Sequence, residues 1–253
     1  MGKQKTVKPD TTTRSACIAL PTYNEAPNIE KLIQEIEKVT KKLRGWKIDL
    51  LIIDDNSPDG TAGIVKKLQK KYRNLHLITG QKKGLGAAYT RGFKHILNTM
   101  KCDYIFQMDA DFQHNPRYIP QFLKKTAEGY DFIIGSRYIA GGDYPNWSFK
   151  RKLYSWGANF IARKIAGIYD IEDCTSGFRC ISAKFLKSFD LGTLRANGYA
   201  FQMSLLHAAT KKHLKITQIP ILFPNRTRGE SKLGRHDIKE FFINAIKLRF
   251  KKY

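Results

Sequence analysis

The sequence predicts an α/β protein, a mainly parallel sheet covered by helices, and three observations carry that reading. Short β-branched runs alternate with amphipathic stretches through the first half. Several motifs fall at the carboxyl ends of predicted strands, where open α/β sheets bind ligands. The length, 253 residues, fits one large domain of this class.

The elements follow in order. Ala16 to Pro21 reads as the first strand and Asn28 to Leu43 as a helix, with Ile29, Leu32, Ile33, Ile36 and Val39 on one face. Leu50 to Asp54 is the second strand and Thr61 to Tyr72 the next helix. Leu75 to Thr79 is the third strand, followed by a glycine-punctuated loop and a helix over Gly86 to Asn98. Tyr104 to Met108 forms the fourth strand, Pro116 to Glu128 a helix, and Tyr130 to Ser136 a further strand.

The second half changes character. Trp147 to Tyr169 holds five basic residues (Lys150, Arg151, Lys152, Arg163, Lys164) and no acid, with Phe149, Leu153, Trp156 and Phe160 at helical spacing. Such a basic amphipathic helix either meets a membrane surface or partner, or packs its apolar face on the sheet. His236 to Tyr253 repeats the pattern, with Ile238, Phe241, Phe242, Ala245 and Ile246 in one stripe. From Lys211 to Tyr253 there are 12 Lys or Arg against 3 acids. The expected organisation is therefore a disordered basic arm over 1–14, a catalytic domain over 15–235 and a membrane- or partner-binding helix over 236–253.

Composition narrows the class. Hydrophobic residues make up 42% and charged residues 26%, which excludes bulk disorder. Lys and Arg number 45 against 22 acids, a net charge of +23, and a surplus of that size points to a polyanionic partner. No apolar run reaches the roughly 20 residues that span a bilayer, so membrane contact is expected to be peripheral. Residues 1–14 lack the apolar core of a secretory signal. Cys17, Cys102, Cys174 and Cys180 form no CxxC pair, and read as reduced thiols of a cytosolic protein.

Four motifs carry the chemistry: Pro21-Thr22-Tyr23-Asn24-Glu25, Asp54-Asp55-Asn56-Ser57-Pro58-Asp59-Gly60-Thr61, Asp109-Ala110-Asp111-Phe112-Gln113-His114 and Gly135-Ser136-Arg137-Tyr138. Three of them place carboxylates at strand ends with no counter-charge in the local sequence. Such clusters repel unless a cation or a ligand donor neutralises them. Asp109 and Asp111, with Gln113, offer hard oxygens suited to Mg2+ or Mn2+ bridging phosphate groups. Gly84-Leu85-Gly86-Ala87-Ala88-Tyr89 looks like the start of a dinucleotide fingerprint. It lacks the last glycine and follows the third strand rather than the first, which argues against a dehydrogenase and leaves a glycine loop whose backbone approaches a ligand.

Together with Gly84-x-Gly86 and Gly229-Glu230-Ser231-Lys232, these motifs stand in an order that resembles the inverting GT-A glycosyltransferases of family 2, and among them the dolichyl-phosphate mannosyltransferase catalytic subunits. The resemblance runs from about residue 15 to 234. It implies a Rossmann-like GT-A fold with helices on both sheet faces. Pro21, Tyr23 and Glu25 would line a nucleotide pocket, with Ile53 and Asp55 contacting the guanine base of GDP. Asp109, Asp111 and Gln113 would hold Mg2+ or Mn2+ at the diphosphate, with Ala110 against the nucleotide. Arg137 would face the phosphates or the sugar, and Arg226 and Lys232 would close over the diphosphate from a basic loop. Asp173 to Arg179 matches the acceptor-side stretch.

The implied reaction moves mannose from GDP-mannose to dolichyl (polyprenyl) phosphate with inversion, giving the β-linked lipid used in glycosylation and GPI-anchor pathways. It implies membrane association, direct or through small membrane subunits. The implied location is the cytosolic face of the endoplasmic reticulum in a eukaryote, or the inner face of the cell membrane in a prokaryote. A UDP-glucose-dependent dolichyl-phosphate glucosyltransferase is the nearest alternative. A basic nucleic-acid-binding protein is the alternative of another class, and it has only net charge behind it: no RRM, KH, zinc-finger or helix-turn-helix signature is present.

Overall fold

A computed structural model describes residues 13–194, 198–224 and 235–251. Seven strands form one sheet: β1 (Arg14–Thr22), β2 (Trp46–Asp54), β3 (Leu75–Thr79), β4 (Tyr104–Gln107), β5 (Phe132–Ser136), β6 (Arg179–Ser182) and β7 (Ile216–Pro220). Their order is β3-β2-β1-β4-β6-β5-β7. All pair in parallel except β6, which runs antiparallel to both β4 and β5. The chain steps outward from β1 to β3 and then returns to place β4 on the other side of β1. The order therefore reverses between β1 and β4, and the carboxyl ends of β1, β2, β4 and β5 share one edge.

Both faces of the sheet are covered, so β1 is a continuous apolar run rather than an alternating one. Cys17 and Ala19 point into one core with α3 (Leu85–Thr99), α7 (Gly198–Lys211) and α8 (Arg235–Arg249). Ala16, Ile18 and Leu20 point into the other, with α1 (Ala26–Thr40), α2 (Thr61–Gln69) and α4 (Ile119–Ala127).

Most elements of the first half lie within a few residues of expectation. β1 starts at Arg14, the residue taken as the last of the arm, and α1 starts two residues early, with Pro27 in its first turn. The stretch expected as one helix from Pro116 opens with a 3-10 turn over Pro116–Tyr118 before α4. Pro120 lacks the amide hydrogen that an α-turn onto Pro116 needs.

Five elements have no counterpart in the sequence reading: β6, α6 (Ala183–Lys187), the 3-10 turn over Leu191–Thr193, α7 and β7. Every residue of α7 from Ala200 to Ala209 is buried, so the helix has no polar face and no period to read. β6 is four residues long and carries Arg179 and Ser182, which hides its strand character.

The two basic helices behave differently from a simple amphipathic reading. In α5 (Phe149–Lys164) only Asn159 and Ala162 are fully buried, and the apolar stripe faces solvent. In α8 the expected stripe divides. Phe241 and Ala245 are buried with Leu248, while Phe242 and Ile246, one position further round, are exposed. The side chain of Ile238 lies outside the described residues. Among the described residues no helix is long and apolar enough to cross a membrane. All four cysteines are free.

His207 in α7 gives the fold a pH dependence. Burial, aided by Lys211 and Lys251, pushes its imidazole down to about 4. The folded protein keeps it neutral while the unfolded chain takes up a proton near pH 6.5. Stability is expected to fall as pH drops from about 6.5 to 4, by up to about 3 kcal/mol. Chemical unfolding across this range should show the slope in wild type and a flatter profile in His207→Gln.

Candidate active site

The loop after β2 braces the loop after β1. Asp54 is fully buried; it accepts from Thr22 Oγ1 (2.9 Å), Ser57 Oγ (2.6 Å) and Ser57 N (2.8 Å). Asp59 accepts from Thr61 Oγ1 (2.6 Å) and Ala26 N (2.9 Å), and these bonds hold its carboxyl below the ordinary range against the opposing effect of burial. Asp55 pairs with Arg91 at 2.5 Å. The expectation of unneutralised carboxylates in this loop is therefore corrected: hydrogen bonds satisfy Asp54 and Asp59, and Asp55 meets a cation from α3, 36 residues away. Asn24 and Asn56 take left-handed backbone conformations (φ 61° and 51°), and both loops turn sharply there.

The residues expected around a nucleotide divide into accessible and buried ones. Pro21, Tyr23 and Glu25 are partly exposed at the end of β1. Tyr23 lies beneath Lys82, whose ammonium is 3.4 Å from the ring centroid. Ile53 is fully buried and packs so tightly under α3 that a Cβ on Gly92 would fall 2.2 Å from its Cδ1. Its side chain belongs to the core. Gly84 caps α3 with φ 95°, a conformation that favours glycine.

Asp109 and Asp111 are both half-buried just past β4, beside the point where the strand order reverses. Asp109 N donates to His114 Nδ1 (2.8 Å), and the His114 ring stacks on Phe178 at 4.9 Å. Tyr89 Oη donates to Asp109 Oδ1 at 3.3 Å. Burial, and then the Asp109 charge, push the Tyr89 phenol well up, so it stays a donor. Phe112 adopts φ 65°, which turns the chain so that Gln113 N reaches Asp111 Oδ1 (3.1 Å). Ala110 is buried.

Gln113 Nε2 donates to Pro224 O (2.6 Å), so only its Oε1 can serve a cation. Among the described residues no three His, Cys, Asp or Glu side chains converge as a metal site. Two carboxylates and one amide oxygen make a sparse, hard set. It fits Mg2+ or Mn2+ that completes its shell with phosphate oxygens and water.

Arg137 lies at the end of β5 with its guanidinium turned inward. Nε and Nη2 bond Asp173 (2.7 and 2.6 Å), and Nη2 also bonds Thr175 Oγ1 (2.7 Å). Burial disfavours charge on both partners. Arg137 nevertheless holds the Asp173 carboxyl below its usual range, and Asp173 raises Arg137. Arg179 beneath them is fully buried and bonds the carbonyls of Ser176, Gln202 and Cys174 at 2.7 to 2.8 Å. Burial lowers its guanidinium to about 10. Asp173 to Arg179 is thus a rigid, internally bonded wall. A cavity of about 310 Å³ opens beside it, lined by Tyr138, Glu172, Trp156, Phe160, Arg163 and Lys164.

Arg91 and Gln202 are not singled out in the sequence, and Tyr89, His114 and Asp173 stand in the quoted segments without a role of their own. Gln202 is the sharpest case. It is 2% exposed, and neither atom of its amide has a hydrogen-bond partner among the described residues. A Cβ added to Gly177 would lie 3.6 Å from Gln202 Nε2, 3.6 Å from Asp109 Oδ2 and 3.4 Å from His114 Cε1. Gly177 thus floors a small polar cradle behind Asp109. An unsatisfied buried amide costs about 1 to 3 kcal/mol, so Gln202→Leu is expected to raise stability by about 1 kcal/mol. If a substrate hydroxyl takes the cradle, the same variant loses roughly 10- to 100-fold in kcat/KM. Unfolding curves and steady-state kinetics on one preparation check both effects.

Residues 17–189 match the model of glycosyl transferase family 2. The chain belongs to that family. It is 35% identical over 232 residues to the dolichol-phosphate mannosyltransferase of Pyrococcus furiosus, across 91% of this chain and 62% of that protein. It therefore spans less than two thirds of that relative. It is 32% identical over 239 residues to the polyprenol monophosphomannose synthase of Mycolicibacterium smegmatis, across 93% and 86%. An undecaprenyl-phosphate mannosyltransferase of Micrococcus luteus is 31% identical over 229 residues, across 90% and 91%. The fold is similar to glucosyl-3-phosphoglycerate synthase from Mycobacterium tuberculosis, solved with Mn2+, UDP and phosphoglyceric acid. The TM-score is 0.64 at 18% identity, over 92% of this chain and 78% of that one. This glycosyltransferase thus has the mostly parallel sheet expected of it, with β6 as the antiparallel exception. Arg226 and Lys232, which the resemblance assigns to the diphosphate, lie outside the described residues.

Proposed function

We propose that this glycosyltransferase moves a mannosyl group from GDP-mannose to the phosphate of a dolichyl or other polyprenyl lipid, inverting the anomeric centre. The observation that supports this most is the half-buried Asp109/Asp111 pair at the β1/β4 reversal, in a chain whose relatives are named for polyprenyl-phosphate mannosylation. Asp109, Asp111 and Gln113 Oε1 would hold Mg2+ or Mn2+, which when bound supplies positive charge against the diphosphate. Pro21, Tyr23 and Glu25 border the nucleotide, with Lys82 over Tyr23 adding a cation beside it.

In the reaction an acceptor phosphate oxygen forms a bond to the anomeric carbon as the bond to the diphosphate oxygen breaks. The electron pair leaves with GDP. A phosphate monoester is already anionic near neutral pH, its second pKa being about 6. The site therefore has to align and screen two anions rather than remove a proton. Arg137, engaged by Asp173 and Thr175, serves by fixing the wall over 173–179 rather than by offering its full charge to a phosphate.

Arg226 and Lys232 remain assigned to the diphosphate by resemblance. Contacts that strengthen as leaving-group charge develops act on kcat, so Arg226→Ala and Lys232→Ala are expected to lower kcat about 10- to 100-fold with a smaller change in KM. A raised KM at unchanged kcat marks uniform binding instead. The reading as a whole is tested with GDP-mannose, UDP-glucose and UDP-GlcNAc, each offered with a short polyprenyl phosphate and Mg2+ or Mn2+. Turnover of GDP-mannose supports it. Turnover of UDP-glucose alone moves the assignment to a glucosyltransferase. Salt-sensitive retention on RNA with no turnover of any donor moves it to nucleic-acid binding.

A further inference from the structure

The orphaned amide of Gln202 is held firmly in place. Near the start of α7, Arg179 Nη1 donates to Gln202 O at 2.7 Å from β6. Phe201, the residue before it, stacks on Tyr89 with ring centroids 6.1 Å apart and planes 5° from parallel. Tyr89 Oη in turn donates to Asp109 Oδ1. The helix start is thus registered on the Asp109 carboxylate, while Gln202 Oε1 and Nε2 bond nothing among the described residues. The space beside the amide is kept by a missing side chain. A Cβ on Gly177 would meet Gln202 Nε2, Asp109 Oδ2 and His114 Cε1 at 3.4 to 3.6 Å, which is ordinary contact, so a methyl group fits there without displacing its neighbours. Gly177 and Asp109 are partly exposed, so the space is reached from outside the core.

We infer that this cradle reads the donor sugar: Gln202 takes two neighbouring ring hydroxyls, and Gly177 leaves the room for them. The inference rests on the proposed nucleotide-sugar donor and names the residues that select its sugar. Three features argue for a sugar. An amide offers donors and an acceptor without net charge, and a pair of hydroxyls, each able to give and to take a hydrogen bond, is its complement. An anion is opposed by the Asp109 carboxylate, whose Oδ2 borders the same space. Arg179, the buried cation nearby, has each of its nitrogens on a carbonyl, of Ser176, Gln202 or Cys174. Position supplies the third. Asp109 is the carboxylate assigned to the diphosphate, and the sugar ring is the group joined directly to that diphosphate. A buried amide left without partners costs stability, and it is also the feature that rejects a ligand lacking the matching hydroxyl.

The test uses the full chain as wild type, Gln202→Leu and Gly177→Ala, with a short polyprenyl phosphate and Mn2+. The donors are GDP-mannose and a set of analogues that each lack one sugar hydroxyl. Wild type is expected to lose about 100-fold or more in kcat/KM on two analogues modified at adjacent carbons. Gln202→Leu is slower on GDP-mannose and no longer separates those two analogues from it. Comparing the same analogues in both proteins cancels their intrinsic reactivity, so the missing discrimination belongs to the contact. Calorimetry without acceptor gives a second reading. Both variants are expected to bind GDP with Mn2+ as wild type does, and to lose about tenfold of the extra affinity that the mannosyl group confers. Gly177→Ala keeps the wild-type melting temperature, since its methyl occupies the cradle at ordinary contact. Undiminished discrimination by Gln202→Leu overturns the inference. So does an equal loss of GDP and GDP-mannose binding, which marks a disturbed site rather than a lost sugar contact. Turnover of UDP-glucose alone refutes the proposed reaction but not the cradle, which is then decided by the same comparison on analogues of UDP-glucose. Absence of binding by any nucleotide sugar overturns both.

Discussion

Asp111→Ala is expected to lower turnover by roughly two to three orders of magnitude while leaving the fold in place. Removing one group that stabilises developing charge typically costs that much. The residue is half-buried, and its Oδ1 accepts from Gln113 N at 3.1 Å. Losing that bond costs about 1 kcal/mol, a shift of a few degrees in melting temperature. Saturating donor should not restore the rate. The melting temperature of wild type should rise with GDP and Mn2+ together, and that of the variant should not. Wild-type turnover by Asp111→Ala at saturating donor would remove the carboxylate pair from the chemistry.

The largest stability effect is expected at Asp173. Its carboxylate is fully buried and receives Arg137 N, Nε and Nη2 as well as Ser176 N, at 2.6 to 3.0 Å. Asp173→Ala strands the Arg137 guanidinium in the interior, and breaking such a pair from one side costs about 3 to 5 kcal/mol. Arg137→Ala strands the carboxylate and is expected to cost a similar amount, while the double variant loses clearly less than the sum. The sign of the pH effect follows from the lowered Asp173 carboxyl. Its contribution is present above the unfolded value near 3.9 and is lost as pH falls through the folded value, adding to the His207 effect at the acid end. Denaturant unfolding of the four proteins gives the cycle directly. Additive losses would mean that the two side chains do not act as a pair. Kinetics below the melting temperature then separate the roles. If Arg137→Ala loses far more activity than Asp173→Ala at matched stability, the guanidinium acts on substrate as well as on the wall.

Legibility followed how locally each property is encoded. β3 coincides with its expected span because five residues between turn signals leave no other choice. The Asp109/Asp111 pair was readable because it follows an apolar run directly. The partners of Asp55 and Arg137 were not, because Arg91 and Asp173 each lie 36 residues away. The loop after β2 looked like a cluster of unneutralised acids for the same reason. Ser57 and Thr61 donate from within the motif, but Thr22 and Ala26 N belong to another strand and helix. α7 was invisible because full burial erases the periodicity on which sequence reading depends.

By itself the sequence determined the alternation of strands and helices, the motifs at the strand ends and their chemistry, and the basic amphipathic character of α5 and α8. All of these are properties of neighbouring residues and of helical or strand period. Which way an amphipathic helix faces is not such a property. α5 and α8 both carry apolar residues beside cations. Only the tertiary structure turns Asn159 of α5 inward onto Cys174, leaves Phe149 and Trp156 in solvent, and buries Phe241 and Ala245 of α8. The choice is made by what the rest of the chain offers each helix. Beside α5 are a backbone amide and a tyrosine hydroxyl that must be satisfied. Beneath α8 is the apolar surface of α7. An unsatisfied buried polar group costs as much as a buried methylene or two contributes, so such neighbours decide the rotation of a helix.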